Sequence, residues 1–112
     1  MAAKYDIELY ELKAQLCKTF SDPIRLMAIQ ELREGEKTVG NLQSVLGIPQ
    51  ASVSRHLAIL RDKGVVSTRR EGTNIFYRLT NPKICEACDI IHEILIKQIE
   101  SGRELAQKLT GK

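Results

Sequence analysis

Apolar residues in the first 64 positions recur with a helical period. Tyr5, Leu9, Leu12, Leu16 and Phe20 fall at i, i+4, i+7, i+11 and i+15, which predicts a first helix with one apolar stripe. Ser21-Asp22-Pro23 then supplies a cap followed by Pro at a first helical position. The second helix is expected over about 23–34, burying Ile24, Met27 and Leu32 and stopping before Gly35. Thr38 can cap a short third helix, about 39–46, ended by Gly47. Pro49 opens a fourth, with Val53, Leu57 and Leu60 on one face and Gly64 at its C-terminal end.

The period then changes. Val65–Arg70 and Ile75–Leu79 are rich in β-branched and aromatic residues and flank Glu71-Gly72-Thr73-Asn74, which predicts a β-hairpin with a four-residue turn. After Pro82 a helical pattern resumes from about 83 to 109. At 1.5 Å per residue that helix is ~40 Å long, whereas a compact chain of this size has a radius of gyration near ~13 Å. Its stripe of Ile84, Cys88, Ile91, Leu95 and Ile99 needs cover, and a second copy of the chain is the simplest source. The first and fifth helices are therefore read as a homodimer interface, through Leu9, Leu12 and Leu16 on one and Cys88, Ile91, Leu95 and Ile99 on the other.

Composition narrows the class. The 112 residues are 43% hydrophobic and 28% charged, ordinary for one small globular domain. No apolar run approaches the ~20 residues that span a bilayer, and MAAKYDIELYELK is too acidic for a signal peptide, so a cytoplasmic protein without membrane contact is expected. The net charge of +3 is unevenly distributed. Residues 1–36 carry five Lys/Arg against seven Asp/Glu; residues 37–80 carry seven against two; residues 81–112 balance at five each. Positive charge confined to the middle third is the footprint of a nucleic-acid-binding face.

Two short helices joined by GIPQ, followed by a basic hairpin, make a winged helix-turn-helix. The expected fold is mainly α (α+β), about five helices plus a two-stranded wing. It divides into a dimerisation helix (1–22), a DNA-binding core and wing (23–80) and a C-terminal dimerisation helix (81–112). On a helical wheel with Val53 at zero, Leu57 and Leu60 fall within about 40° and Ala51 and Arg55 near the opposite side. Arg55 is the candidate for a guanine edge, where its guanidinium can meet O6 and N7 together. Ala51 allows close approach, and Gln50, Ser52 and Ser54 suit phosphate or base contacts. His56 lies only about 60° from the core centre, so a partly buried histidine making a structural hydrogen bond is the better reading for it, against a place among the DNA contacts. Arg69, Arg70, Thr73 and Asn74 of the hairpin are candidates for backbone or minor-groove contact.

ASVSRHLAILRDKGVV, RREGTNIFYRL and SDPIRLMAIQEL together resemble the ArsR/SmtB family of winged-helix repressors over roughly residues 15–80. The resemblance implies a homodimer that represses until a ligand or oxidant releases it from an inverted-repeat operator in double-stranded DNA. Pro49 stands where the family commonly has a serine cap. The family's metal ligands would fall at Thr38 and Gly40, or at Asn81, Lys83, Ile94 and Lys97, and these residue types do not supply either site.

CEACDIIH places two of the three cysteines at the start of the fifth helix. With Ile84 at zero, Cys88 lies near ~40°, His92 near ~80° and Cys85 near ~100°, on one side of the helix. If the first and fifth helices pack together, Cys17 approaches Cys85 and Cys88. Three thiolates suit a thiophilic metal or metalloid ion such as arsenite, and adding His92 gives zinc or cadmium four ligands. Oxidation is expected to join Cys17 to one of the other two rather than bridge a single helical turn. The plainer alternative is that Cys88 packs as a small hydrophobe, Cys17 and Cys85 are incidental thiols and His92 is solvated. The functional alternatives are a winged-helix DNA binder with no metal response, non-inducible or responding to an unknown small molecule, and, third, a thiol redox protein. No Gly-rich phosphate loop, paired carboxylates or Ser/His/Asp set supports an enzyme.

Overall fold

In the computed structural model, which describes residues 3–111, the chain runs α1 (Ile7–Thr19), α2 (Pro23–Leu32), α3 (Val39–Leu46), α4 (Gln50–Asp62), β1 (Val66–Glu71), β2 (Asn74–Leu79) and α5 (Lys83–Thr110). Local chemistry fixes most of the boundaries. Asp6 caps α1, its Oδ1 accepting from the backbone of Glu8 and Leu9 at 3.0 and 3.4 Å, so Tyr5 lies before the helix. Asp22 caps α2 with Pro23 in its first turn, and Thr38 and Asn41 form a reciprocal capping box on α3. Gly47 adopts φ +67°, a left-handed C-cap that a side chain would strain, so the chain leaves α3 there for the tight turn into α4.

The core is built where α2, α3, α4 and the base of the hairpin meet. Ile29, Leu42, Val53, Leu57, Leu60 and Val65 are buried, joined by Ala28, Leu32 and Val66. Burying one such side chain is worth about 1.5–3 kcal/mol. In α2 the expected inward set needs correction: Leu32 is buried, but Met27 is 44% exposed and Ile24 only half-buried. Ala28 and Ile29 take the inward places, and the helix ends at Leu32 rather than near 34.

The hairpin also differs from expectation. The antiparallel register runs from Val66↔Leu79 to Glu71↔Asn74, so the ladder extends through both flanking polar residues and leaves a two-residue Gly72-Thr73 turn. Gly72 takes φ +62° and Thr73 does not have positive φ, which matches a II′-type turn with glycine first. A third short piece of pairing comes from Lys37, in the α2–α3 connection. Its N–H donates to Tyr77 O (3.1 Å), and its carbonyl accepts from Tyr77 N–H (2.8 Å).

The chain divides into two compact units, one ending at Asn81 and the other consisting of α5 and its flanks. The 28 residues of α5 correspond to ~42 Å of helix, closed by Gly111 at φ +71°. Ile91, Leu95 and Ile99 are 66, 50 and 48% exposed in the single chain. On α1, Leu9, Leu12 and Leu16 are likewise exposed, and Thr19 is the buried residue of that helix. No described helix is long and apolar enough to cross a membrane.

Candidate nucleic-acid interface

One face of α4 is inside and the other outside. Val53, Leu57 and Leu60 are buried, while Gln50, Ala51, Ser54 and Arg55 are exposed and Ser52 is half-buried. This is the division expected from the wheel, and it places Arg55 where its guanidinium can extend from the helix. Pro49 provides no side-chain cap. Its carbonyl accepts from Ser52 and Val53 N–H at 3.0 and 3.2 Å, so no side chain competes for the donors of the helix's first turn.

His56 is the correction on this helix. It is only 5% exposed, which takes it out of the DNA-facing set. Its Nδ1 lies 3.4 Å from Arg25 Nη1 and 3.7 Å from Asp22 Oδ1. Arg25 also donates through Nε to the Thr19 carbonyl at 2.8 Å, and Asp22 Oδ1 accepts from Ile24 and Arg25 N–H at 2.8 and 3.2 Å. This network ties the end of α1 and the start of α2 to the middle of α4. Burial alone would raise the Asp22 pKa. The backbone donors of Arg25 and Ile24, with the charges of His56 and Arg25, outweigh it and hold the carboxyl below its ordinary value.

The ladder sorts the wing by face, because directly opposed residues share one side. Val66, Thr68 and Arg70 share a face with Leu79, Tyr77 and Ile75; Ser67, Arg69 and Glu71 share the other with Arg78, Phe76 and Asn74. Arg69 and Arg70 therefore point to opposite sides. The Arg69 guanidinium lies 4.5 Å from the Phe76 ring centre. Its Nε donates to Glu36 Oε2 and its Nη1 to Glu71 Oε2 (2.8 Å). Its hydrogen bonds to Glu71 and then to Glu36 push its pKa further up. Arg70, Thr73 and Asn74 are exposed at the wing's outer end. Arg78, which the sequence reading passed over, is also exposed, with Nε donating to Ser67 Oγ at 3.2 Å. Its place is set by strand register rather than by any local motif.

A groove of about 480 Å³ is lined by Gln15, Lys18, Thr19, Arg25, Ile59 and Lys63. Its cations serve the ends of two helices: Lys18 is in the last turn of α1, Arg25 reaches the Thr19 and Lys18 carbonyls, and Lys63 is the C-cap of α4.

The candidate metal and redox residues are Cys17, exposed; Cys85, buried; Cys88, half-buried; and His92, exposed on α5. No disulfide joins the cysteines. Among the described residues of the single chain, no group of three or more His, Cys, Asp or Glu is placed to hold a metal ion.

Residues 22–68, from the cap of α2 into β1, match the bacterial regulatory protein arsR family. Over 85 residues the chain is 44% identical to the biofilm growth-associated repressor of Xylella fastidiosa, covering 76% of this chain and 75% of that protein. The chain belongs to the arsR family. It is a DNA-binding transcriptional regulator and not an enzyme. The crystal structure of the transcriptional repressor BigR from Xylella fastidiosa is similar to it, with 40% identity and a TM-score of 0.70 over 83% of this chain and 96% of that one. A solution structure from Mycobacterium bovis, described as a homodimeric winged helix-turn-helix DNA-binding domain, has 25% identity and a TM-score of 0.74 over 87% of this chain and 92% of that one. Winged helix-turn-helix architecture in the arsR family is thus common to sequence and structure. The helix-turn-helix of this member is α3 and α4, and β1–β2 is its wing.

Proposed function

We propose that this arsR-family regulator is a cytoplasmic repressor that binds an inverted-repeat operator as a homodimer, with the N-terminal half of α4 in the major groove of each half-site. The observation that carries the reading is the two-sided α4: a fully buried apolar face behind an exposed row of Gln50, Ala51, Ser54 and Arg55. Repression is supported by the name of the Xylella relative, and dimerism by the homodimeric Mycobacterium bovis neighbour. The exposed apolar rows of α1 and α5 support it from this chain's own residues. Two recognition helices related by a two-fold axis read half-sites about one DNA turn, ~34–36 Å, apart. Arg70, Thr73 and Asn74 reach the flanking backbone or minor groove.

The test is selection of binding sites from a randomised duplex pool, followed by the Arg55→Ala variant. Arg55→Ala should lose about 1–3 kcal/mol on the selected duplex and much less on random duplex. Equal losses on both would make Arg55 a phosphate contact and sink the groove assignment. A pool that yields no two-fold-symmetric site would sink the dimeric operator.

A further inference from the structure

Arg69 is the wing residue whose surroundings contradict a simple role. A basic residue on a wing is expected to meet phosphate, yet this guanidinium is bracketed by two carboxylates and laid on an aromatic ring. Glu36 takes Nε, Glu71 takes Nη1 at 2.8 Å, and Phe76 lies beneath at 4.5 Å. One positive and two negative side chains leave the cluster at −1, so an approaching phosphate meets no net attraction there.

The two partners also come from different places. Glu71 is the last residue of β1, at the turn. Glu36 is 33 residues from Arg69 in sequence and sits in the α2–α3 connection, next to Lys37, whose backbone pairs with Tyr77 of β2. Two consecutive residues thus hold the two strands: Lys37 grips β2 through its backbone, and Glu36 grips β1 through a side chain. Beyond these points Arg70, Glu71, Gly72, Thr73, Asn74 and Ile75 are exposed. A two-stranded ribbon without packing is marginal in water, so the outer wing needs an anchor of this kind.

We propose that Arg69 is a positioning residue: with Glu36 and Glu71 it latches the outer wing to the body, and phosphate contact passes to Arg70 on the opposite face of the ribbon. The latch lowers the ordering cost that the wing would otherwise meet on DNA. Only a planar fork can serve both carboxylates while stacked on Phe76, so lysine cannot replace arginine there. The DNA part of this inference rests on the function proposed above.

Arg69→Lys separates the two roles because it keeps the charge and removes the fork. Binding is measured to a 30-base-pair random duplex across a salt series, and amide hydrogen exchange of residues 66–79 is measured on the DNA-free protein. The expected result is affinity lower by roughly three- to ten-fold with an unchanged salt slope. Exchange around the turn should be faster in Arg69→Lys, and also in Glu36→Gln. Arg70→Ala, by contrast, should flatten the salt slope by about 0.9 while leaving exchange alone. The latch is overturned if Arg69→Lys binds and exchanges as wild type does, or if Arg69→Ala flattens the slope as Arg70→Ala does. Wild-type protein that binds neither this duplex nor a selected one would instead overturn the function, and hydrogen exchange would still decide the latch.

Discussion

In α2, α3, α4 and the hairpin base the large aliphatic residues that set the helical pattern are mostly inside, with Leu42, Leu57 and Leu60 each at 0% exposure. In α1 and α5 similar patterns stay outside, with Leu12 at 62% and Ile91 at 66%. Identical spacing therefore has two meanings in one small protein. A stripe flanked by short helices on a tight turn finds cover within the chain. A stripe on a 28-residue helix, ~42 Å long, has more apolar length than a domain of this size can cover. The exposed rows of α1 and α5 are where the proposed second copy would sit.

Equivalent truncations should break this comparison in different ways. Leu57→Ala leaves a cavity in the α4 core and should cost about 2–5 kcal/mol in chemical denaturation, whatever the protein concentration. Leu95→Glu should leave the stability of the isolated chain almost unchanged and weaken self-association ten- to hundred-fold, about 1.4–2.8 kcal/mol by sedimentation. A Leu95→Glu variant that sediments as wild type does would mean that the exposed α5 row is not the dimer seam.

Asp22 tests the electrostatics inside the buried region, since it caps α2 and faces His56 of α4. Its folded pKa is lowered, so the charged carboxylate's contribution is present above the ordinary carboxylate range and lost as pH falls through the depressed value. Asp22→Asn keeps a capping oxygen and removes the charge. Its Tm deficit against wild type should be present at neutral pH and shrink as the pH falls below the ordinary carboxylate range. A deficit independent of pH would assign the residue's role to the cap alone. The smallest expected effect is that of replacing Cys85 and Cys88 together by Ser. DNA affinity without any inducer should stay within about two-fold. Release of operator by arsenite or peroxide then sorts the thiols, because a response lost in this variant belongs to them and one retained does not.

The outward side of α4, the proposed recognition surface, was largely legible before the fold. Val53, Leu57 and Leu60 mark the inner face of α4, and a 100° step per residue then places Ala51 and Arg55 outside. The wing was legible as a hairpin but not in its turn. Glu71 and Asn74 look like loop residues by type, yet they pair across the ladder because Gly72 accepts positive φ. Met27 departs from the expected inward set because α2 is covered from a direction that its own periodicity does not specify, which turns Ala28 and Ile29 inward instead.

The sequence by itself determined the kinds and order of elements, the helix caps at Asp22 and Thr38, and the outward side of α4. Each of these depends on residues within about one or two helical turns of one another. Only the tertiary structure showed which partners His56 and Arg69 take. Both are basic-looking candidates for DNA by composition. His56 is turned inward against Arg25, 31 residues away, and Arg69 is held by Glu36, 33 residues away. A side chain's partner across such separations is set by how whole elements pack. The wheel already places His56 near the core but cannot name Arg25, and Arg69 reads as a phosphate contact in the sequence although Glu36 and Glu71 hold it in the fold.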